Sequence, residues 1–229
     1  MAAPVYPVFL HLARQPVLIV GGGKVALRKA RGLVEAQAVI TVVSPAFVVE
    51  FEQLPQVALR REKYGSACMS GPEAPHWWLV FAATDDPLVN REVAEDARAR
   101  NIFCCRCDAS DEGDFSNASV WRREQVVVAV GTGGAAPLLA AKIAQKLGQA
   151  LDPAFVELGT LMDSWRAIVV ADIADPEARA RLLRELVGDE MLHTLQRSGT
   201  VAAEKLFQAY LAASKADWRN AEEKRAAAD

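Results

Sequence analysis

The stretch PVLIVGGGKVALRKA, residues 16–30, passes from an apolar run through three glycines into a segment with helical spacing. The apolar run 17–20 predicts a parallel strand that is buried on both faces. From Lys24 onward, apolar residues recur every three or four positions, which predicts a helix. A strand, a bare turn and a helix in this order open a βαβ unit, so the stretch predicts an α/β fold.

The glycine turn matches a dinucleotide-binding pattern. Gly21, Gly23 and Ala26 fit G-x-G-x-x-A, in which the glycines permit a tight turn and close approach of a pyrophosphate. The N–H groups at the start of the following helix attract phosphates. The alternative is a turn with a structural role only. The pattern leaves NAD and NADP open, because the next strand ends in Ser44 and Pro45 and not in the acidic residue that would bind a ribose.

The chain continues as a series of alternating elements. Further strands are predicted at 38–45, 57–64, 77–86 and 102–108, with a helix at 87–101 and a loop at 65–75. This order predicts a Rossmann-like, doubly wound parallel sheet over residues 1–115. A hairpin at 118–132 and a helix at 135–151 then predict a separate segment, 116–151. Helical signals dominate 152–229, which predicts a helical C-terminal domain.

Composition narrows the possible functions. The 229 residues are 52% hydrophobic with a net charge of −3 and a pI near 5.7, so no broad basic surface for nucleic acid is expected. No signal peptide and no run of about 18 apolar residues is found, so we expect no membrane association. Three of the four cysteines lie in CCRC (104–107), which is a poor disulfide framework and predicts a cytoplasmic protein.

Three stretches together carry a family resemblance. They are GGGKVALRKARGLVEAQAVITVVSP (21–45), FAATDDPLVNREVAEDARARNIFC (81–104) and DFSNASVWRREQVVVAVGTGGAAPLLA (114–140). In this order they resemble the precorrin-2 dehydrogenase / sirohydrochlorin ferrochelatase family, which includes the N-terminal module of siroheme synthase. The resemblance covers roughly residues 6–150 of the printed sequence.

The resemblance implies a function and an assembly. The function is NAD-dependent oxidation of precorrin-2 to sirohydrochlorin, and in bifunctional members also insertion of Fe(II) to give siroheme. The sequence leaves open whether this chain inserts iron. The resemblance further implies a homodimer in which 116–151 is the dimerisation segment, and a tetrapyrrole substrate.

The resemblance also implies site residues. The aspartate that the family uses for acid-base work falls on Asp108, which would also be a transient metal ligand if iron is inserted. The family's cofactor contacts fall on Gly21, Gly22, Gly23, Lys24, Val25, Ser44, Pro45, Ala46, Thr84 and Asp85.

Asp108 is placed where such a role is feasible. It follows a predicted strand at the edge where ligands of open α/β sheets bind, and a carboxylate there can accept protons. The alternative is that Asp108 only caps the loop that follows. Cys105 and Cys107 would share one face of the strand, but a metal site usually needs more ligands, which favours buried cysteines without metal.

The substrate carries many carboxylates, so cationic partners are required. Candidates are Arg106, Arg122 and Arg123, because the arginine fork pairs with carboxylates, although the two hairpin arginines also suit a solvated turn. Thr132, Gly133 and Gly134 precede a predicted helix and could offer polar hydrogens to substrate or serve as a flexible turn. A competing hypothesis is a non-catalytic NAD-sensing module, in which Asp108 would have no role.

Overall fold

The computed structural model describes residues 5–70, 75–109 and 112–226, with the side chains after residue 218 left aside. Contacts divide the chain into two compact units. The first contains the chain up to Ala118 together with residues 131–137, and the second contains residues 119–130 and the chain from Leu138 onward. The predicted boundaries at 115 and 151 stay predictions.

The first unit is a parallel five-stranded sheet with the order β3-β2-β1-β4-β5, which confirms the predicted Rossmann-like fold. Both faces of the sheet are covered by apolar residues, as the uninterrupted hydrophobic strands predict. The strands are β1 (Pro16–Val20), β2 (Val39–Val43), β3 (Ala58–Arg60), β4 (Leu79–Ala82) and β5 (Phe103–Arg106). The helices are α1 (Lys24–Glu35), α2 (Ala67–Ser70) and α3 (Pro87–Arg98).

Two segments of the first unit differ from the sequence-based expectation. The third strand spans Ala58–Arg60 and not 57–64, because only three of its residues pair with β2 at this edge of the sheet. The predicted loop at 65–75 contains the short helix α2, whose Cys68 and Met69 are buried against the sheet. In both cases tertiary contacts decided what the local sequence left ambiguous.

The second unit combines a hairpin with helices. Strands β6 (Ser119–Arg123) and β7 (Val126–Val130) pair in antiparallel register around a turn at Glu124, as predicted. Its core centres on Trp165, whose ring stacks on Phe207 at 4.7 Å between centroids. Gly199 has a non-helical conformation (φ 73°) and kinks the last helix. The helices are α4 (Pro137–Ala150), α5 (Pro153–Asp172), α6 (Pro176–Glu185) and α7 (Asp189–Ala226).

Among the described helices, none combines the length and the apolar character needed to span a bilayer.

Candidate dinucleotide site and acidic residue

The glycine turn between β1 and α1 is packed against two neighbouring loops. Gly21 has φ +125°, a conformation that side chains rarely adopt, and a Cβ there would collide with the carbonyl of Ala83 after β4. A Cβ on Gly22 would collide with the carbonyl oxygen of Ala46 and lie 2.8 Å from Oγ of Ser44. The turn therefore requires glycine at both positions for steric reasons within the protein.

Gly23 differs from the two glycines before it. It is exposed, its φ is −86°, and a Cβ built on it has no atom of the described residues within 4 Å. It is the N-cap residue of α1, and no side chain caps that helix. The first N–H groups of α1 therefore have no capping side chain, an arrangement that suits the binding of a phosphate group. The residues present fit a dinucleotide at this position.

The segment after β2 forms the second wall of the turn. Ser44 is buried and its hydroxyl donates to the carbonyl oxygen of Ala46 at 2.7 Å. The N–H of Val48 donates to the carbonyl of Gly22 at 2.9 Å. Pro45 and Ala46 are exposed beside this contact. The predicted cofactor residues of 21–23 and 44–46 thus lie in direct contact.

Asn90 on α3 is a site residue that the sequence analysis did not identify. It is fully buried, and its Oδ1 accepts from the backbone N and from Oγ1 of Thr84 at 3.0 and 2.8 Å. Its Nδ2 donates to the carbonyl of Thr84 at 3.1 Å. A single side chain therefore fixes the turn after β4, next to Gly21. A polar residue on the buried face of a predicted helix was the available signal, since such a group requires partners.

Asp108 lies just beyond the carboxyl end of β5, at the same edge of the sheet as the glycine turn. Its carboxylate pairs with Arg106 through two contacts, Nε to Oδ1 at 3.2 Å and Nη2 to Oδ2 at 2.7 Å. The remaining arm of the Arg106 guanidinium, Nη1, donates to Glu112. About 25% of the Asp108 side-chain surface is exposed, so the carboxylate is accessible from solvent.

The surroundings of Asp108 keep its carboxylate charged. Burial raises its pKa, but hydrogen bonding to Arg106 and Asn90 and the positive charge of Arg106 outweigh that effect and lower the pKa below its usual value. Asp108 is therefore a carboxylate at neutral pH and can accept a proton.

The cysteines beside Asp108 occupy different environments. Burial raises the pKa of Cys104 to about 12. A hydrogen bond from the Cys105 thiol, with the charges of Lys29 and Arg28 on α1, lowers the pKa of Cys107 to about 7 although burial opposes the shift. The pKa of Cys105 is raised by its hydrogen bond to Cys107 and by burial. Within the described ranges, no group of three or more His, Cys, Asp and Glu side chains could hold a metal ion.

The remaining predicted site residues lie in several places. Arg122 and Arg123 are exposed on β6 in the second unit. Thr132, in the loop before α4, accepts from the N–H of Ala136 at 3.2 Å through Oγ1. Lys24 and Val25 are exposed in the first turn of α1, Asp85 is exposed after Thr84, and Gly133 and Gly134 have positive φ angles of 61° and 82°.

The parallel sheet and its glycine turn define a Rossmann-type NAD(P)-binding protein. Residues 8–119 match a family model described as putative NAD(P)-binding. A siroheme synthase of Edwardsiella ictaluri is 34% identical over 216 residues, covering 93% of this chain and 46% of the relative. Siroheme synthase 2 of Cronobacter sakazakii is 40% identical over 141 residues, covering 62% of this chain and 30% of the relative.

A solved structure named "SirC, precorrin-2 dehydrogenase" superimposes with a TM-score of 0.70. It is 24% identical, and the match covers 90% of this chain and 98% of that chain. At this identity the likeness shows the fold. The chain spans about half the length of the siroheme synthase of Edwardsiella ictaluri that it matches. The chain is thus similar to siroheme synthases over most of its own length and to an NAD(P)-binding family over residues 8–119.

Proposed function

We propose that the protein oxidises precorrin-2 to sirohydrochlorin with NAD as the oxidant. Its relatives are siroheme synthases, and a protein of the same fold is named as a precorrin-2 dehydrogenase. The observation that carries the proposal is the position of Asp108, a charged and accessible carboxylate at the sheet edge where the glycine turn also lies.

The first unit offers a consistent set of groups for NAD. The open N-terminus of α1, with Gly23, Lys24 and Val25, would hold the pyrophosphate. Ser44, Pro45 and Ala46 would border the adenosine half, and Thr84 and Asp85 would border the segment that leads to the nicotinamide. When bound, NAD supplies a hydride acceptor.

Asp108 would act as the general base. Oxidation of precorrin-2 removes two hydrogens, one as hydride and one as a proton, and the carboxylate accepts the proton. The carboxylate has four acceptor positions, and the Arg106 fork occupies one on each oxygen. Since part of the side chain remains exposed, an acceptor position faces the side from which a substrate would approach.

The substrate's carboxylates would be met by cations and backbone donors. Arg122 and Arg123 are exposed and free to form bidentate pairs, and Arg106 was predicted for the same role from the sequence. Thr132, Gly133 and Gly134 would contribute polar hydrogens from the loop before α4.

Iron insertion is proposed as a second reaction of the same site. Fe(II) is a substrate here and displaces two pyrrole N–H protons, which a charged carboxylate would accept one at a time, passing each to water. Asp108 would also hold the incoming ion transiently, because a carboxylate oxygen is an exchangeable ligand for it. The reaction is tested with sirohydrochlorin and Fe(II) under anaerobic conditions by following siroheme absorption.

We further propose that the protein acts in the cytoplasm as a homodimer through residues 116–151. The exposed apolar side chains of this segment support the proposal, since a monomer gains nothing by presenting them to water. They include Val120 (54% exposed), Leu138 (89%), Leu139 (53%) and Leu147 (52%).

Incubation with NAD and precorrin-2 tests the principal proposal, with sirohydrochlorin absorption as the readout. We expect turnover by the unchanged protein and a loss of about 100-fold or more in Asp108→Ala, because general bases contribute on this order. Asp163→Ala, an exposed aspartate of α5, is the control. NAD binding without turnover would instead support the non-catalytic sensing module.

A further inference from the structure

Arg106 is an almost completely buried arginine, with 4% of its surface exposed. Removing a guanidinium from water costs several kcal/mol unless charged partners compensate for it. Arg106 has two such partners, since Nε and Nη2 contact Asp108 and Nη1 donates to Glu112. The guanidinium therefore uses all three of its nitrogens within the protein.

The contact with Arg106 fixes the orientation of the Asp108 carboxylate and also keeps it charged. Arg106 is the last residue of β5, and Asp108 lies in the bend directly after it, so the two side chains meet where the strand ends. The planar fork contacts one oxygen through Nε and the other through Nη2, which aligns the plane of the carboxylate with the plane of the guanidinium. A single lysine ammonium could not impose that alignment.

Asp108 and Arg106 differ in how much of each side chain is exposed to solvent. The Asp108 side chain is 25% exposed, whereas the Arg106 side chain is 5% exposed. An incoming ligand reaches Asp108 first, and it would have to displace two carboxylates to pair with Arg106. The burial of Arg106 thus favours support of Asp108 over direct contact with the substrate.

We propose that Arg106 is a positioning residue that holds the carboxylate of Asp108 in the orientation in which it accepts a proton. The inference rests on the proposed function. In this proposal Arg106 affects the reaction by holding Asp108. The competing hypothesis is that Arg106 binds a carboxylate of the substrate directly.

Steady-state kinetics with precorrin-2 and NAD distinguish the two roles. For Arg106→Gln we expect kcat to fall at least tenfold, while KM for precorrin-2 and the affinity for sirohydrochlorin change less than threefold. Arg106→Lys should recover part of the lost kcat, because one charged N–H contact can still form. Arg166→Gln, an exposed arginine of α5, is the matched control. A tenfold rise in KM with unchanged kcat would overturn the proposal.

Two further measurements guard against a general loss of structure. In an Asp108→Ala background, Arg106→Gln should cause no further fall in kcat, and an additional tenfold fall would contradict the proposal. Urea unfolding of Arg106→Gln, Asp108→Asn and the double variant should show non-additive shifts in midpoint; additive shifts would argue against a coupled pair. The unfolding cycle remains informative if the unchanged protein has no dehydrogenase activity, in which case the proposed function fails separately.

Discussion

At the scale of single residues, Gly22 and Gly23 serve different purposes although they are adjacent. A side chain at Gly22 collides with the Ser44–Ala46 segment, whereas one at Gly23 enters open space. The fold requires the first glycine for steric reasons, whereas the described residues leave room for a side chain at the second. The G-x-G pattern accepts any residue at its middle position. In this protein the middle residue is Gly22, which is more crowded than Gly23.

Substitution of the two glycines by alanine should separate folding from binding. We expect Gly22→Ala to lower the free energy of unfolding by about 1–3 kcal/mol, the usual range for overpacking. Gly23→Ala should leave stability within about 0.5 kcal/mol, as is normal for uncrowded surface sites, but weaken NAD affinity because the methyl group occupies ligand space. Urea unfolding and calorimetric titration measure the two effects. Equal destabilisation by both variants would contradict the assignment.

Cys107 is the thiol of the CCRC segment whose charge should depend on pH in the neutral range. Because its pKa is lowered to about 7, the reactive thiolate increases as pH rises through 7. We expect iodoacetamide to modify Cys107 with a rate that rises with a midpoint near pH 7. Cys104, with a pKa of about 12 and 1% exposure, should remain unmodified. Mass spectrometry locates the label. If fast modification by iodoacetamide persists in Cys107→Ser, Cys107 is not the reactive thiol.

At the scale of elements, α4 has two different faces. Ala140, Ala144 and Gly148 are buried, and Gly148 lies so close to Trp121 of β6 that a side chain there would collide with the indole. Leu139 and Leu147, two turns apart on the other face, are about half exposed. Gly148 therefore allows the helix to approach its own hairpin closely, and the leucines remain available for a second copy.

Charge on the leucine face should disrupt the proposed homodimer. We expect Leu139→Asp combined with Leu147→Asp to shift the protein from dimer to monomer. Dimer formation would remove the new carboxylates from water at an apolar contact, where they have no charged partner. Gln145→Asp introduces the same charge at an exposed position elsewhere on α4 and should leave the mass unchanged. Analytical ultracentrifugation measures the masses. A dimer that survives the double substitution would place the interface on another surface.

At the scale of the whole molecule, the protein consists of two units with separate hydrophobic cores. The first is built around the sheet and the second around Trp165 and Phe207. The proposed NAD contacts all lie in the first unit, so ligand binding should stabilise that unit directly.

Calorimetric unfolding with and without NAD tests this division. At 100 times its Kd, NAD should stabilise the first unit by about 2.7 kcal/mol, because it binds only the folded form. The transition of the second unit should stay at the same temperature, and Gly23→Ala should reduce the shift of the first. An equal shift of both transitions would show that the two units unfold together.

Much of the fold followed from the sequence because its signals are local. Continuous apolar runs, the glycines at 21–23 and the proline at the start of α3 predict buried parallel strands joined by helices, and the structure confirms this order. The short α2 and the three-residue β3 were not predicted, because their conformations depend on packing against the sheet.

By itself the sequence determined that a dinucleotide-type turn opens a parallel sheet, and that a carboxylate closely follows the last strand of that sheet. Only the tertiary structure decided how those groups are supported. Asn90 contacts Thr84 across six positions, and Gly22 lies against Ala46 from another loop. It also decided that Arg106 is buried against Asp108; its predicted contact with a substrate carboxylate stays a prediction. The Gly22–Ala46 contact depends on which strands the sheet order makes neighbours, and the other two depend on how side chains close in sequence turn toward each other; residue spacing alone encodes neither.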